Sequence, residues 1–152
     1  MPEFATPADA VSVLRSGMNV FVHGAAATPT PLLEAVCART DLENVTFYHM
    51  HTDGPAPHIA PGVQGRFRAV SLFTGGPLRE AVAAGRADFV PVFLSDIPNL
   101  FTSGRIKLDA ALLTLSAPDK HNNCSLGTSV DSARAAADSA PVLIAELNPR
   151  MP

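Results

Sequence analysis

The chain has 152 residues, of which 47% are hydrophobic and 16% charged, and it carries a formal net charge of −3. A chain of this length makes about one domain and buries on the order of two-thirds of its unfolded surface, which argues against disorder. The acidic balance (pI near 5.9) argues against a nucleic-acid binder, and no apolar run reaches the roughly 18 residues of a membrane-spanning helix.

The charged fraction is low against a typical ~25%, which points to a face covered by a partner chain or a further domain. The start, MPEFATPADA, lacks the basic-then-apolar order of a signal peptide. Cys37 and Cys124 do not form a close pair, so no disulfide is expected and a cytoplasmic location is.

The first helix is expected to start at Thr6 as cap, with Pro7 in its first position and Asp9 closing a capping box, and to end at Gly17. MNVFVH (18–23) reads as a strand, GAAATPTP as a loop, and Thr30 and Pro31 as the start of a second helix, LLEAVCAR. VTFYHM (45–50) is a second strand, followed by a Gly/Pro loop from His51 to Gly65. RFRAVSL (66–72) is a third strand, and TGG leads into a helix that begins at Pro77 and stops before Gly85. DFVPVFL (88–94) is broken by Pro91 and reads as an edge strand. IPNLFTSG is a short helical turn and DAALLTLS (109–116) a strong strand. After the loop APDKHNNCSLGTS, VDSARAAADSA is a helix capped by Ser129 or Asp131, and VLIAELN (142–148) is the last strand.

Strands alternate with helices, and the runs VFV, ALLTL and VLIAEL are continuously apolar, as in strands covered on both faces. The fold class is therefore α/β, a mainly parallel open sheet with flanking helices. In such sheets ligands bind beyond the carboxyl ends of the strands. The loops leaving those ends, HGAAATPTP, HTDGPAPH, FTGG and SAPDKHNNCSLGTS, hold most of the clustered Gly, Thr, Ser and His residues.

His49, His51 and His58 lie within ten residues, but H-x-H alone is a weak metal signal, and no metal site is assigned. His49 is expected to be half-buried on its strand, and His51, at the strand's end, to line a pocket. HGAAATPTP reads either as a tight connection or as backbone N–H groups facing an anion or carbonyl. In FTGGPLR, Thr74 and Gly75 offer a hydroxyl and an amide, with a plain glycine-rich turn as the alternative. Ser125, Thr128 and Ser129 crowd a helix start, and capping explains only one of them. No nucleophile elbow is present, His121–Cys124 carries no protease signature, and Glu34, Glu80 and Glu146 fit helix or strand positions.

The strings HMHTDGPAP, GRFRAVSLFTGGPLREAV, GRADFVPVFLSDIPNLF, LDAALLTLSAPDKHNNCSLGTSVD and ELNPRMP, in this order, resemble the N-terminal domain of the acetyl-CoA hydrolase/transferase family, with the 4-hydroxybutyrate CoA-transferases as the nearest subgroup. The resemblance implies a NagB/RpiA/CoA-transferase-like domain over residues 1–152, with the C-terminal catalytic domain absent from this chain. It implies movement of CoA between a short-chain acyl-CoA and a carboxylate, such as acetate or 4-hydroxybutyrate. The intermediate would be a glutamyl-CoA thioester on the missing half. Coenzyme A is then a substrate, no cofactor is implied, and the full-length enzyme is expected to be a homodimer. No residue here matches the family's glutamate nucleophile, so the chain alone is expected to be inactive. Carried over by position, Gly24, Ala27, Thr28 and Pro29 match the first strand-end loop. Thr52 and Thr74 match hydroxyls on the acyl or carboxylate side, with His51, Gly54 and Gly75 beside them. Ser125, Gly127, Thr128 and Ser129 match the loop after ALLTL, and KHNNCSLG departs from the family's usual glycine and aromatic after the histidine. Three readings compete: a hydrolase of the same family, a non-catalytic α/β module for sugar phosphates that would lean on Arg79 or Lys120, and a truncated product that folds poorly.

Overall fold

Six apolar runs separated by helix-start prolines give six parallel strands in a computed structural model that describes residues 5–152. The first four residues of the stretch read for a signal peptide lie outside the described residues. The strands are β1 (Asn19–Val22), β2 (Val45–His49), β3 (Phe67–Ser71), β4 (Asp88–Phe89), β5 (Ala110–Leu115) and β6 (Val142–Leu147). They form one sheet in the order β4-β3-β2-β1-β5-β6, with every pairing parallel. The helices are α1 (Pro7–Ala10), α2 (Thr30–Ala38), α3 (Gly76–Ala83), α4 (Ile97–Thr102) and α5 (Ala133–Ser139). Proline occupies the first turn of the first four, where its missing N–H has no helical partner to lose.

Both faces of the central strands are covered, which is why β1 and β5 read as unbroken apolar runs. On one face Val20, Val22, Phe47 and Leu112 pack against Leu33 and Val36 of α2. On the other, Phe21 and Leu113 pack with Ile97 and Phe101 of α4 and Ala133 and Ala136 of α5. The Phe21 and Phe101 rings meet edge-on at 5.5 Å.

Two local expectations need correction, and a third resolves between its two alternatives. The first helix stops after one turn instead of reaching Gly17, continues as a 3-10 turn over Val11–Val13, and extends at Leu14. Thr6 caps it as expected, accepting the Asp9 N–H at 3.2 Å. Two valines and a serine then propagate a helix poorly. The Arg39 guanidinium donates to the carbonyls of Val11 (2.6 Å) and Leu14 (2.9 Å), satisfying them without further helix. The edge strand expected over 88–94 survives only at Asp88–Phe89. Its last ladder bond is Val90 N–H to Ser71 O, and Pro91 follows at once, a residue that sheets hold at their edges. At α5, Asp131 is the residue whose carboxylate accepts the N–H groups of Ser132 and Ala133, and the Ser129 hydroxyl does not cap.

Candidate functional site

Strand order reverses at β1, with β2 on one side and β5 on the other. A crevice opens at such a switch point because the loops leaving the two strands diverge. The loops after β1, β2 and β3 meet around His51. A Cβ placed on Gly24 would lie 2.7 Å from the His51 carbonyl oxygen, and one on Gly75 would lie 2.9 Å from the His51 Cβ. Only glycine allows either approach. The Ala25 N–H donates to the same His51 oxygen at 2.8 Å, holding Ala25 at φ +50 in the left-handed region. The Thr28 hydroxyl donates to the Ala25 carbonyl (2.7 Å) and accepts the Asp53 N–H (3.1 Å). Ala25 and Thr52 form a parallel bridge across the two loops.

The structure thus brings Gly24, Thr28, His51, Thr52 and Gly75 together. Pro29 is buried just before α2, Gly54 sits in the left-handed region 4.0 Å from Thr30 Oγ1, and Thr74 is half-buried beside Gly75. The Thr52 hydroxyl and His51 Nδ1 are buried without a partner among the described residues. The His51 ring packs edge-on against Phe73 at 5.7 Å.

The residues carried over from the loop after β5 divide differently. The Ser125 hydroxyl accepts the Gly127 N–H, and the Ser125 N–H donates to the Ser116 hydroxyl. Gly127 has φ +65, and a Cβ there would fall 1.9 Å from Met151 Sδ. Ser125 and Gly127 therefore hold a turn and seat the tail, and their contacts do not run to His51. Thr128 is exposed. Ser129 is buried, and its carbonyl accepts from His23 Nε2 at 2.7 Å.

His23 is the residue that sequence reasoning passed over. It is fully buried at the end of β1, and its Nδ1 accepts the Thr114 N–H at 3.2 Å. An acceptor at Nδ1 places the ring proton on Nε2, where it is given to Ser129. The ring takes the place of a backbone acceptor that β5 loses when β1 turns away at Gly24. The available signal was a histidine ending an apolar strand directly before a glycine.

Two further histidines lie buried side by side. His49, expected half-buried, is fully buried, because β3 and the 3-10 turn Pro57–Ile59 close over it. Its Nδ1 bonds the Met50 carbonyl at 3.0 Å and its Nε2 has no partner. The His58 ring lies edge-on to Phe47 (5.3 Å) and His49 (5.4 Å), with neither nitrogen paired. Burial pushes both imidazoles below their usual range, His58 to about 3, so both are neutral packing groups near pH 7. Among the described residues, no three His, Cys, Asp or Glu side chains gather as metal ligands. Burial also raises the Glu146 carboxyl, which accepts from the Thr114 hydroxyl at 2.9 Å. Arg79 and Lys120 are both exposed.

A model of the acetyl-CoA hydrolase/transferase N-terminal domain matches residues 2–152. The chain belongs to the acetyl-CoA hydrolase/transferase family. The resemblance read from the five sequence strings holds. The chain is 43% identical over 155 residues to a succinyl-CoA:acetate/propanoyl-CoA:succinate CoA transferase of Fasciola hepatica, covering 99% of this chain and 32% of that protein. It is 37% identical over 151 residues to a 4-hydroxybutyrate coenzyme A transferase of Clostridium kluyveri, covering 99% and 35%. The crystal structure of a 4-hydroxybutyrate CoA-transferase from Porphyromonas gingivalis superposes with a TM-score of 0.78 at 32% identity, covering 97% of this chain and 34% of that one. The chain spans about one-third of the length of the curated relatives it matches. The all-parallel sheet with flanking helices is the arrangement expected for this family from the sequence.

Proposed function

We propose that this chain forms the N-terminal part of a CoA-transferase that moves CoA from a short-chain acyl-CoA to a carboxylate such as acetate or 4-hydroxybutyrate. The observation that carries the reading is the family match over 2–152, together with relatives named as CoA transferases. The site chemistry supports it. Three strand-end loops converge on His51, where the Thr52 hydroxyl and His51 Nδ1 have no partner among the described residues, polar groups that suit a carboxylate or thioester carbonyl. No glutamate lies in these three loops, and their one carboxylate is that of the exposed Asp53.

In this reading a glutamate on a C-terminal domain outside residues 1–152 attacks the thioester carbonyl, giving an acyl-glutamyl anhydride and CoA thiolate. The thiolate then attacks the glutamyl carbonyl and expels the donor's carboxylate, leaving a glutamyl-CoA thioester. The acceptor carboxylate reverses both steps, so no redox or metal step is required. The completed protein acts in the cytoplasm as a homodimer.

The test is CoA exchange between acetyl-CoA and labelled acetate or 4-hydroxybutyrate. The 152-residue chain alone is expected to show none, and exchange by it would overturn this division of roles. With a completing polypeptide added, acyl-CoA formation that depends on the acceptor supports transfer. Acceptor-independent release of CoA would make the protein a hydrolase. Tight binding of a sugar phosphate by calorimetry would instead revive the ligand-binding module.

A further inference from the structure

A cavity of about 230 Å³ opens beside the amino ends of β3 and β4, lined by His58, Ile59, Gln64, Gly65, Phe67 and Arg86. Phe67 is the first residue of β3, so the cavity lies toward the other end of that strand from the loops that meet at His51. Two segments enclose it. The long loop after β2 supplies His58 to Gly65, and the turn between α3 and β4 supplies Arg86. The Arg86 guanidinium already touches that loop, donating to the Ile59 carbonyl at 3.2 Å.

The polar part of this lining is incompletely paired. His58 is 1% exposed, and neither of its ring nitrogens has a partner among the described residues. A buried polar atom left unpaired is costly and calls for a partner. A neutral imidazole carries one N–H donor to offer. The carboxylate nearest Arg86 is that of Glu80, which is exposed and 3.5 Å away. The guanidinium therefore keeps donors for an anion in the cavity. Ile59 and Phe67 make the rest of the wall apolar, and a Cβ on Gly65 would meet only open space.

We propose that this cavity binds a short-chain monocarboxylate, with its carboxylate on the Arg86 guanidinium and the His58 N–H and its alkyl chain against Ile59 and Phe67. A guanidinium matches a carboxylate at two points. One cation is a poor match for a phosphate dianion, whose remaining oxygens would face Ile59 and Phe67 without donors. The volume is below the roughly 300–1,000 Å³ of pockets for drug-sized ligands and suits an acid of a few carbons. A bound acid ties the loop after β2 to the turn before β4, and the same loop begins with His51 and Thr52. Short carboxylates are also the acceptor class of the transfer proposed above, so the stiffness of that loop follows acceptor concentration. Binding here needs neither CoA nor a second domain, so its failure and the failure of the transferase reading are told apart.

The test titrates sodium butyrate into the 152-residue chain at pH 7 and constant ionic strength, and follows amide and imidazole resonances by NMR. Saturable shifts are expected at His58, Ile59 and Arg86, with a midpoint on the order of millimolar. At roughly ten times that concentration the Ala60 and Val63 amides, which close turns of the loop onto Pro57 and Ala60, should exchange about 10-fold more slowly. Arg86→Gln is expected to weaken binding at least ~10-fold. His58→Phe keeps a ring against Phe47 but loses the donor, and should weaken binding at least ~3-fold. Arg134→Gln, at an exposed site on α5, should bind as the original chain does. Shifts that grow without saturating would overturn the proposal, and so would shifts confined to His51 and Thr52. Equal affinity of both cavity variants, or equal binding of inorganic phosphate, would overturn it as well. The titration of the unmodified chain decides the matter even where a variant melts early.

Discussion

His49 and His58 show how far burial can change a residue's chemistry. Both rings are neutral in the folded chain and bind a proton near pH 6.5 once it unfolds. The unfolded state therefore holds more protons below that pH. Their contribution is complete above about pH 6.5 and is lost as the pH falls; for His58 the loss runs toward about pH 3, at roughly 1 kcal/mol per pH unit. Urea unfolding at pH 7 and pH 5 should show the fall, and His58→Phe should make it smaller. An unchanged midpoint between the two pH values would show that the rings are not desolvated. Gly24 makes a second residue-scale case. Gly24→Ala presses a Cβ onto the His51 carbonyl and should cost about 1–3 kcal/mol, whereas Gly62→Ala, with open space around it, should stay within about 0.5 kcal/mol. Equal effects of the two in denaturant titrations would refute the close approach.

At the scale of elements, His23 joins the end of β1 to the loop after β5. Replacing it by leucine leaves the Thr114 N–H and the Ser129 carbonyl buried without partners, at a cost of about 2–4 kcal/mol. The Thr114 amide should then exchange faster, and protease should cut the loop between Ala117 and Thr128 more readily. A variant that melts lower yet keeps both protections would deny His23 its bridging role. The elements themselves were largely legible. Apolar runs located all six strands, and prolines located the starts of α1, α2 and α3. The parts that were not legible depend on partners distant in sequence. Arg39 meets the end of the first helix from 28 residues away, and His23 reaches the Ser129 carbonyl from 106 residues away. The meeting of Gly24, His51 and Gly75 was expected only as separate loops at one end of the sheet. Their contact is a matter of tertiary packing. Ser125 and Gly127 looked like site residues because serine and glycine serve turns and ligands alike.

The whole molecule carries its own reporters in the two free thiols. Cys124 is exposed, while burial on α2 pushes the Cys37 thiol up to about 11. A folded sample at pH 7.5 should react with one equivalent of a thiol reagent at once. The second equivalent should follow opening of the domain, and its rate should rise with urea. Two equally fast thiols would mean that α2 does not stay packed on the sheet.

The reversal of strand order at β1 also has a temporal side. β2, β3 and β4 all assemble on one flank of β1, and its other flank waits for β5, whose first residue is Ala110. On a ribosome adding 5–20 residues per second, roughly, the strand that ends up in the middle of the sheet stays unpaired on one side for seconds. During that interval Val20 to Val22 is the sticky margin of a half-built sheet. A nascent chain of this protein is thus most exposed to mispairing at the place that is later the most deeply buried.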